Sequence, residues 1–342
     1  MNVCVLGMGK IGHGTAAALV NRGHKVTCFT RCPHKAQALN NHGITASGAL
    51  CGTFPVQATT RIDAAEQADL LVVTTTAQGH RPMAELLQGH LKPNQMILIL
   101  TGNWGAYEFY CVLGEEARTK NVIIGETSGN IAAVPKLSDP ATVFIKPAKR
   151  TIDFATIPAS KAPWMAQELR DAFPQLRPVK NVLTTSLNST NPPIHVPVSL
   201  FNITRIANRE DALFYQTGLP PVLSDFLAAA DGERVAVGKA VGAEVSPVLE
   251  LMNRAWQSNY EDLRTMGMEN ESLKSVLLPK DLKHRFLTED IPFGLWPVAR
   301  LGAQFGVPTP RTNLMIEAYR YLLNEGEEVQ GPRFDLPLTD IP

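Results

Sequence analysis

The sequence has no excess of charge of either sign and no long hydrophobic run. Its 32 Lys and Arg residues balance 32 Asp and Glu residues over 342 positions. Nucleic-acid surfaces and polybasic membrane patches need an excess of positive charge, so the balance argues against both kinds of partner. A membrane-spanning helix needs about 18 consecutive apolar residues. The longest near-continuous runs, 70–73 and 96–100, are far shorter.

Paired cysteine motifs and export signals are also missing. The five cysteines are odd in number, lie in the first third of the chain and form no Cys-x-x-Cys pair. We therefore expect reduced thiols and no metal site. The first residues lack the basic and apolar regions of a signal peptide, so we expect a cytoplasmic protein. A chain of 342 residues is long enough for two domains of ordinary size.

The first half of the chain alternates apolar strands with amphipathic helices. Strands that are apolar throughout and separated by helices are typical of a parallel sheet covered on both faces. The predicted strands are 2–6, 25–29, 69–74, 95–101, 121–125, 141–146 and 151–158, and the predicted helices are 11–21, 105–119 and 163–172.

The pattern after residue 187 is mostly helical. The predicted helices there are 222–241, 247–265, 296–305 and 313–323, with Thr312 placed to cap the last of them. The sequence therefore predicts an α/β protein with two domains. Residues 1–187 form the α/β domain, and residues 188–342 form a mainly α-helical domain.

A glycine-rich motif follows the first predicted strand and precedes an alanine-rich helix. In this context Gly-x-Gly-x-x-Gly is the fingerprint of a Rossmann dinucleotide-binding domain, and a glycine-rich turn without a ligand is the alternative. The first glycine permits a tight turn, the second lets the backbone approach a pyrophosphate, and the third lets the helix lie close to the sheet. We expect the cofactor to bind at Gly7, Gly9, Lys10, Ile11 and Gly12.

The end of the second predicted strand bears on which dinucleotide binds. NAD sites usually carry an acidic residue there, about 20 positions after the glycines. Residues 30–35 contain no carboxylate but do contain Thr30 and Arg31. Arginine binds a phosphate through two charge-assisted hydrogen bonds, so these residues suit the 2′-phosphate of NADP(H). NADP(H) is favoured, and NAD(H) remains possible if Arg31 only stacks on the adenine.

His195 is a candidate acid/base. Of the eight histidines, only His195 and His284 lie beyond residue 90. Three prolines (Pro192, Pro193, Pro197) stiffen the backbone around His195, at the point where the α/β pattern gives way to helices. An ordinary histidine pKa near 6.5 suits proton transfer at neutral pH. A purely structural histidine is the alternative, and no other residue stands at metal-ligand spacing around it.

A second candidate group lies at 283–294, where Arg285 precedes the carboxylates Glu289 and Asp290. Arg285 could hold a substrate carboxylate, and Asp290 could orient a histidine and stabilise its charge. A surface charge cluster that contributes little is the alternative.

Motifs along nearly the whole chain match one known family. They are residues 7–12, 125–128, 191–195, 214–218, 231–234, 285–290, 294–297 and 306–310. Through these motifs the chain resembles the octopine/nopaline (opine) dehydrogenase family. Within that family it is similar to the bacterial N-(1-D-carboxyethyl)-L-norvaline dehydrogenase type.

The resemblance implies an NAD(P)-dependent oxidoreductase acting on CH–NH donors, with a Rossmann domain and a helical domain. It would condense an amino acid or amine reductively with a 2-oxo acid such as pyruvate. His195 would be the acid/base and Asp290 its partner, Arg285 would hold the oxo-acid carboxylate, and Asn191 would help place the carbonyl. The chain departs from the family's pattern in two places. Val196 stands where a proline usually follows the histidine, and the acidic residue of an NAD site is missing.

Two other functions are compatible with the first half of the chain. A ketopantoate- or glycerol-3-phosphate-type reductase would use a lysine of the helical domain, for which Lys239 and Lys274 are available. A regulatory protein would bind NADP(H) without turnover. The amino-acid substrate is not readable, although residues 126–130, Trp104 and Tyr107 are candidates for its pocket, with structural packing as the alternative. A homodimer is the expected oligomeric state.

Overall fold

The computed structural model describes residues 1–138, 141–335, 337, 338 and 341. The chain divides into two compact units, Met1–Thr185 with Phe334–Pro342 and Ser186–Arg333. The division after residue 185 lies two positions before the predicted one. Residues 334–342 group with the first unit, whereas the sequence analysis assigned them to the second.

The first unit is built on a mainly parallel sheet. Its strands are β1 (Asn2–Leu6), β2 (Lys25–Phe29), β3 (Ile44–Gly48), β4 (Gly52–Phe54), β5 (Gln57–Thr59), β6 (Leu70–Val73), β7 (Met96–Ile99), β8 (Ile123–Thr127), β9 (Lys136–Ser138), β10 (Thr142–Ile145), β11 (Ile152–Ile157) and β12 (Leu176–Pro178). Among the described residues the main sheet has the order β12-β11-β8-β7-β6-β1-β2-β5. Only the β11–β8 pair in it is antiparallel.

Helices cover both faces of this sheet. They are α1 (Lys10–Asn21), α2 (Pro33–His42), α3 (His80–Leu87), α4 (Gly105–Thr119), α5 (Ala162–Glu168) and α6 (Val182–Leu187), which crosses the boundary between the units. Residues 3–6 of β1 are all apolar because both faces of the strand are buried. Val3 and Val5 pack in one core, and Cys4 and Leu6 pack in the other. The predicted Rossmann-type α/β architecture is confirmed.

Two predicted strands do not extend the parallel part of the main sheet. The segment predicted at 141–146 is β10, which pairs with β3 and β9 in a separate sheet of order β4-β3-β10-β9. The segment predicted at 151–158 is β11, which joins the main sheet antiparallel to β8. Both segments have the apolar content of strands, but that content does not specify a pairing partner.

The second unit is helical. Its elements are α7 (Asn191–Phe201), α8 (Ile203–Ala207), α9 (Pro221–Ala240), α10 (Val248–Trp256), α11 (Leu263–Glu269), α12 (Arg285–Thr288), a π-helical turn (Ile291–Leu295), α13 (Trp296–Phe305) and α14 (Pro310–Leu323). Helix α7 is central, because Ile194 and Val198 pack in one apolar cluster while Val196 and Leu200 pack in another. In the described part of the chain, no helix is both long enough and apolar enough to span a bilayer.

The single helix predicted at 247–265 is wrong, since α10 and α11 are separate. Gln257 ends α10 in the left-handed conformation, with φ 53°. The side chain of Asn253 then accepts the N–H of Tyr260 at 2.9 Å and holds the loop. Asp262 starts α11 by accepting the N–H of Thr265 at 2.8 Å.

The motif 231–234 on α9 organises the starts of two other helices. Asp231 Oδ2 accepts the N–H of Val248 at 2.7 Å, at the start of α10. Glu233 accepts the N–H groups of Arg311 and Thr312 at 2.9 and 3.0 Å, at the start of α14. The Thr312 hydroxyl also donates to Glu233. The predicted Thr312 cap is therefore wrong: the helix begins at Pro310, and a carboxylate from α9 serves its first turn.

We expect Glu233→Gln to lower the free energy of unfolding by about 1–3 kcal/mol, because it removes a buried charge that serves several donors and the helix dipole. Urea unfolding of the two proteins measures the difference. Glu250→Gln is the matched control, since that side chain is 60% exposed and a surface change stays within about 0.5 kcal/mol. An equal, small effect of both variants would contradict the capping role.

Candidate active site

The three glycines after β1 meet three different steric demands. Gly7 has φ +103°, a conformation that other residues rarely adopt. A Cβ on Gly12 would lie 2.0 Å from the carbonyl oxygen of Gly7, so only glycine lets α1 come this close. A Cβ on Gly9 would meet nothing within 4 Å, so the backbone at Gly9 is open to a ligand.

The first turn of α1 fits the pyrophosphate of a dinucleotide. Gly9 is its N-cap and has no capping side chain, and the turn contains no acidic residue. Helix N-termini of this kind attract anions. Lys10 is exposed and Ile11 is half-buried. Lys35 Nζ, which the sequence analysis did not single out, donates to the carbonyl of Met8 at 2.9 Å and adds positive charge to the turn.

Thr30 and Arg31 directly follow β2, and their side chains differ in exposure. Thr30 is 7% exposed, and its hydroxyl accepts the N–H of Cys32 at 3.3 Å, so it shapes the turn. Arg31 is exposed. Of the two predicted cofactor residues, Arg31 is the one whose side chain is accessible to a ligand.

His195 and Asp290 form a close pair in the second unit. A hydrogen bond of 2.7 Å joins His195 Nδ1 to Asp290 Oδ2, across 95 positions of the sequence. His195 lies on α7, whereas Asp290 lies between α12 and the π-helical turn. The side chains are 15% and 0% exposed, respectively. One ring nitrogen of His195 is thus committed to a buried carboxyl group.

Burial dominates the electrostatics of this pair. It raises the pKa of Asp290 to about 7, and the nearby positive charge of Arg285 opposes the rise. Asp290 Oδ1 has no hydrogen-bond partner among the residues that the structure describes. The carboxyl group that holds His195 Nδ1 therefore has a pKa well above its ordinary value.

Arg285 and Asn191 are close to this pair in the sequence. Arg285 precedes Asp290 by five residues, and Asn191 precedes His195 by four. Arg285 Nη1 is 3.7 Å from Oε2 of Glu289, and its side chain is 43% exposed, so a substrate carboxylate can reach it. Asn191 begins α7 and is half-buried. Asn191 and His195 are four residues apart on a helix, so they share one face of it.

Two aromatic rings that sequence reasoning missed contact His195. Phe286 stacks on the imidazole, with ring centroids 3.6 Å apart and planes at 20°. Phe214 meets it edge-on at 5.9 Å. Both rings belong to motifs that carry the family resemblance. The four-residue spacing from Phe286 to Asp290 could have indicated that these two side chains lie on one side of a helical turn.

Trp104 and Tyr107, candidates for a substrate pocket, are each 1% exposed. Their rings pack against Phe334 at centroid distances of 5.2 and 5.5 Å, inside the first unit. This burial favours a packing role for both residues.

Two known families match different parts of the chain. Residues 178–323 match the α-helical domain of NAD/NADP octopine/nopaline dehydrogenase. Residues 3–133 match ketopantoate reductase PanE/ApbA. The ketopantoate reductase likeness therefore covers the part of the first unit that contains the glycine-rich turn, and not the helical unit that contains His195.

Relatives and solved structures match over most of the chain. An opine dehydrogenase of Arthrobacter sp. (strain 1C) is 29% identical over 332 residues, which cover 96% of this chain and 92% of that protein. An octopine dehydrogenase of Mizuhopecten yessoensis is 25% identical, covering 73% and 68%.

The structure of an octopine dehydrogenase with NADH and agmatine has a TM-score of 0.78 at 20% identity, covering 95% and 90% of the two chains. Yersinopine dehydrogenase with NADP⁺ has a TM-score of 0.73 at 14% identity, covering 97% and 94%. At these identities the structures establish the common fold. The chain therefore joins a Rossmann-type domain to a helical region that matches the α-helical domain of NAD/NADP octopine/nopaline dehydrogenase, and these matches support an NAD(P)-dependent oxidoreductase acting on CH–NH donors.

Proposed function

We propose that the protein condenses an amino acid or amine with a 2-oxo acid such as pyruvate and reduces the product to an N-(carboxyalkyl)amino acid. The observation that carries this proposal is the His195–Asp290 pair, with the accessible Arg285 in the preceding helical turn. Related octopine dehydrogenase structures contain NADH with pyruvate or with L-arginine, which supports the two substrate classes.

The reaction requires one proton delivery that His195 can make. The amine of the first substrate attacks the ketone carbon of the 2-oxo acid and forms a carbinolamine. The protonated imidazole of His195 gives its proton to the carbinolamine oxygen, the C–O bond breaks, and water leaves. The dinucleotide supplies, when bound, the hydride that reduces the resulting C=N bond to a secondary amine. A histidine suits this step because it exchanges protons near neutral pH.

The neighbouring residues have separate tasks in this proposal. Asp290 accepts a hydrogen bond from the imidazole and stabilises its positive charge. Arg285 binds the carboxylate of the oxo acid through its guanidinium group. The Asn191 amide donates a hydrogen bond to the carbonyl oxygen that His195 later protonates.

The direct test is dinucleotide oxidation with pairs of substrates. Pyruvate, glyoxylate and 2-oxoglutarate are each combined with the twenty amino acids and simple amines, using NADPH and NADH, and products are identified by mass. We expect turnover that requires both substrates. Reduction of an oxo acid without an amine would instead indicate a ketopantoate-type reductase, and cofactor binding without any turnover would indicate a regulatory protein.

We also propose NADP(H) as the preferred cofactor. Arg31 is exposed directly after β2, Lys35 Nζ lies on the glycine-rich turn, and residues 30–35 contain no carboxylate. A 2′-phosphate would thus meet positive charge, whereas the acidic partner of an NAD ribose is missing.

Arg31→Ala is expected to raise the KM for NADPH about 10- to 150-fold, the loss of one charge-assisted hydrogen bond. The KM for NADH should stay nearly constant, because NADH has no 2′-phosphate. Initial rates with both cofactors measure this. Lys25→Ala, an exposed change at the other end of β2, is the control. Equal effects on both cofactors would argue against a 2′-phosphate contact.

We propose a cytoplasmic homodimer. None of the five cysteines, all of which lie in the described part of the chain, forms a disulfide, which suits a reducing compartment. Phe201, Val222 and Leu322 of the second unit are 51%, 76% and 62% exposed, which is apolar surface of the kind that interfaces cover. Light scattering tests the oligomeric state and cell fractionation tests the compartment; a monomer or an exported protein would contradict the respective part.

A further inference from the structure

The imidazole of His195 contacts an aromatic wall as well as a carboxyl group. Phe286 stacks on it at 3.6 Å with nearly parallel planes, and Phe214 closes one side edge-on at 5.9 Å. Phe214 and Phe286 also contact each other, with centroids 5.7 Å apart. The ring of His195 therefore lies against a surface that constrains its plane.

The hydrogen bond to Asp290 and the stacked Phe286 ring restrict different motions of the imidazole. The bond holds His195 Nδ1 at 2.7 Å from Asp290 Oδ2, and the Phe286 ring, packed on the imidazole face at 3.6 Å, blocks a tilt of the imidazole out of its plane. The direction of the other ring nitrogen, Nε2, follows from the position and the plane of the ring, to which both contacts contribute.

Phe286 and Asp290 reach the same imidazole from one turn of the chain. The N–H of Glu289 donates to the carbonyl of Arg285 at 3.0 Å, so the helical turn continues through residue 289. Residues four apart on such a turn point to the same side. One helical turn therefore presents both a stacking face and a hydrogen-bond acceptor to His195.

Phe286 is itself held in place by His284. The ring of His284 meets the Phe286 ring edge-on at 4.4 Å. Its Nδ1 also accepts the N–H of Phe286 at 3.4 Å. The stacking face is thus supported by its own neighbours and does not depend on a bound substrate.

We propose that Phe286 is a positioning residue of the reaction: it fixes the plane of the His195 imidazole, and so the direction in which Nε2 delivers the proton. Phe286 acts through the imidazole of His195, on which it stacks. The inference rests on the proposed acid/base function of His195. The aromatic face also favours the charged imidazole, because the ring quadrupole attracts a cation placed over it.

Phe286→Leu tests the proposal, because leucine keeps an apolar side chain but removes the flat face. We expect kcat to fall about 3- to 10-fold, as for the loss of one aromatic pair, while the KM values for cofactor and oxo acid change little. Phe286→Tyr keeps the stacked face and should retain most of kcat. Phe305→Leu, at the exposed end of α13, is the matched control and should behave as wild type.

Proton NMR of the histidine-labelled wild-type protein tests the stack without any activity. The carbon-bound ring protons of His195 should resonate upfield, because they lie over the Phe286 ring, and should move downfield in Phe286→Leu. Wild-type signals without this displacement would overturn the proposal, as would a Phe286→Leu kcat equal to that of Phe305→Leu.

His195→Ala distinguishes failure of this inference from failure of the proposed function. If His195→Ala retains turnover, the acid/base assignment fails and the positioning role fails with it. If His195→Ala loses turnover while Phe286→Leu matches the control, only the positioning role is wrong.

Discussion

Replacing His195 by alanine is expected to lower kcat by about 10²–10⁴-fold, the usual contribution of a positioned acid/base. The carbinolamine oxygen would then leave without a proton donor. The affinity for the dinucleotide should not change, because the residues predicted to bind it belong to the first unit. Steady-state rates and fluorescence titration with NADPH measure the two quantities separately.

A second histidine provides a matched control for this variant. His90 forms a contact of the same 2.7 Å length with Glu66, but the two side chains are 33% and 44% exposed. His90→Ala should therefore leave kcat unchanged, since an exposed pair of this kind contributes little. Near-normal turnover of His195→Ala would remove His195 from the mechanism.

Replacing Arg285 by alanine is expected to raise the KM for the 2-oxo acid by about 10- to 150-fold. This range corresponds to the loss of a hydrogen bond to a charged group, about 1.5–3 kcal/mol. Arg285→Lys should lie between wild type and alanine, because lysine keeps the charge but cannot form the two parallel bonds of a guanidinium group. Initial rates at varied oxo-acid concentration measure the effect.

The same variant should also move the pH profile in a defined direction. The charge of Arg285 lowers the pKa of Asp290, against the larger effect of burial. Without that charge the pKa of Asp290 rises further, so its ionised form is lost at a higher pH and the acid limb of kcat moves upward. Arg300→Ala, an exposed change on α13, is the control. An unchanged oxo-acid KM in Arg285→Ala would contradict the anchoring role.

The sequence predicted best the elements whose signal is local. The strands 2–6 and 25–29 have the observed bounds of β1 and β2. In β1 the residues 3–6 are a continuous apolar run buried on both faces, and in β2 Val26, Cys28 and Phe29 are buried. The second sheet was not predicted apart from β10. Its strand β4, for example, has two exposed residues out of three and thus no apolar run to recognise.

Helix α7 was predicted only as a rigid segment, since prolines usually interrupt helices. In the structure Pro192 and Pro193 lie in its first turn, where backbone N–H groups have no helical partner and a proline loses nothing. Pro197 lies inside the helix, so the positions of Pro192 and Pro193 account only for the helix start.

The sequence by itself determined the glycine-rich turn, the residue types of the candidate site and the spacing of Arg285 from Asp290, because these depend on residues only a few positions apart. Only the tertiary structure decided that His195 bonds to Asp290 across 95 positions, and that Phe286 stacks on the same ring. The tertiary structure likewise decided the pKa of Asp290. Burial is the cause of its rise to about 7, and burial results from the packing of several distant elements, which no local stretch of sequence specifies.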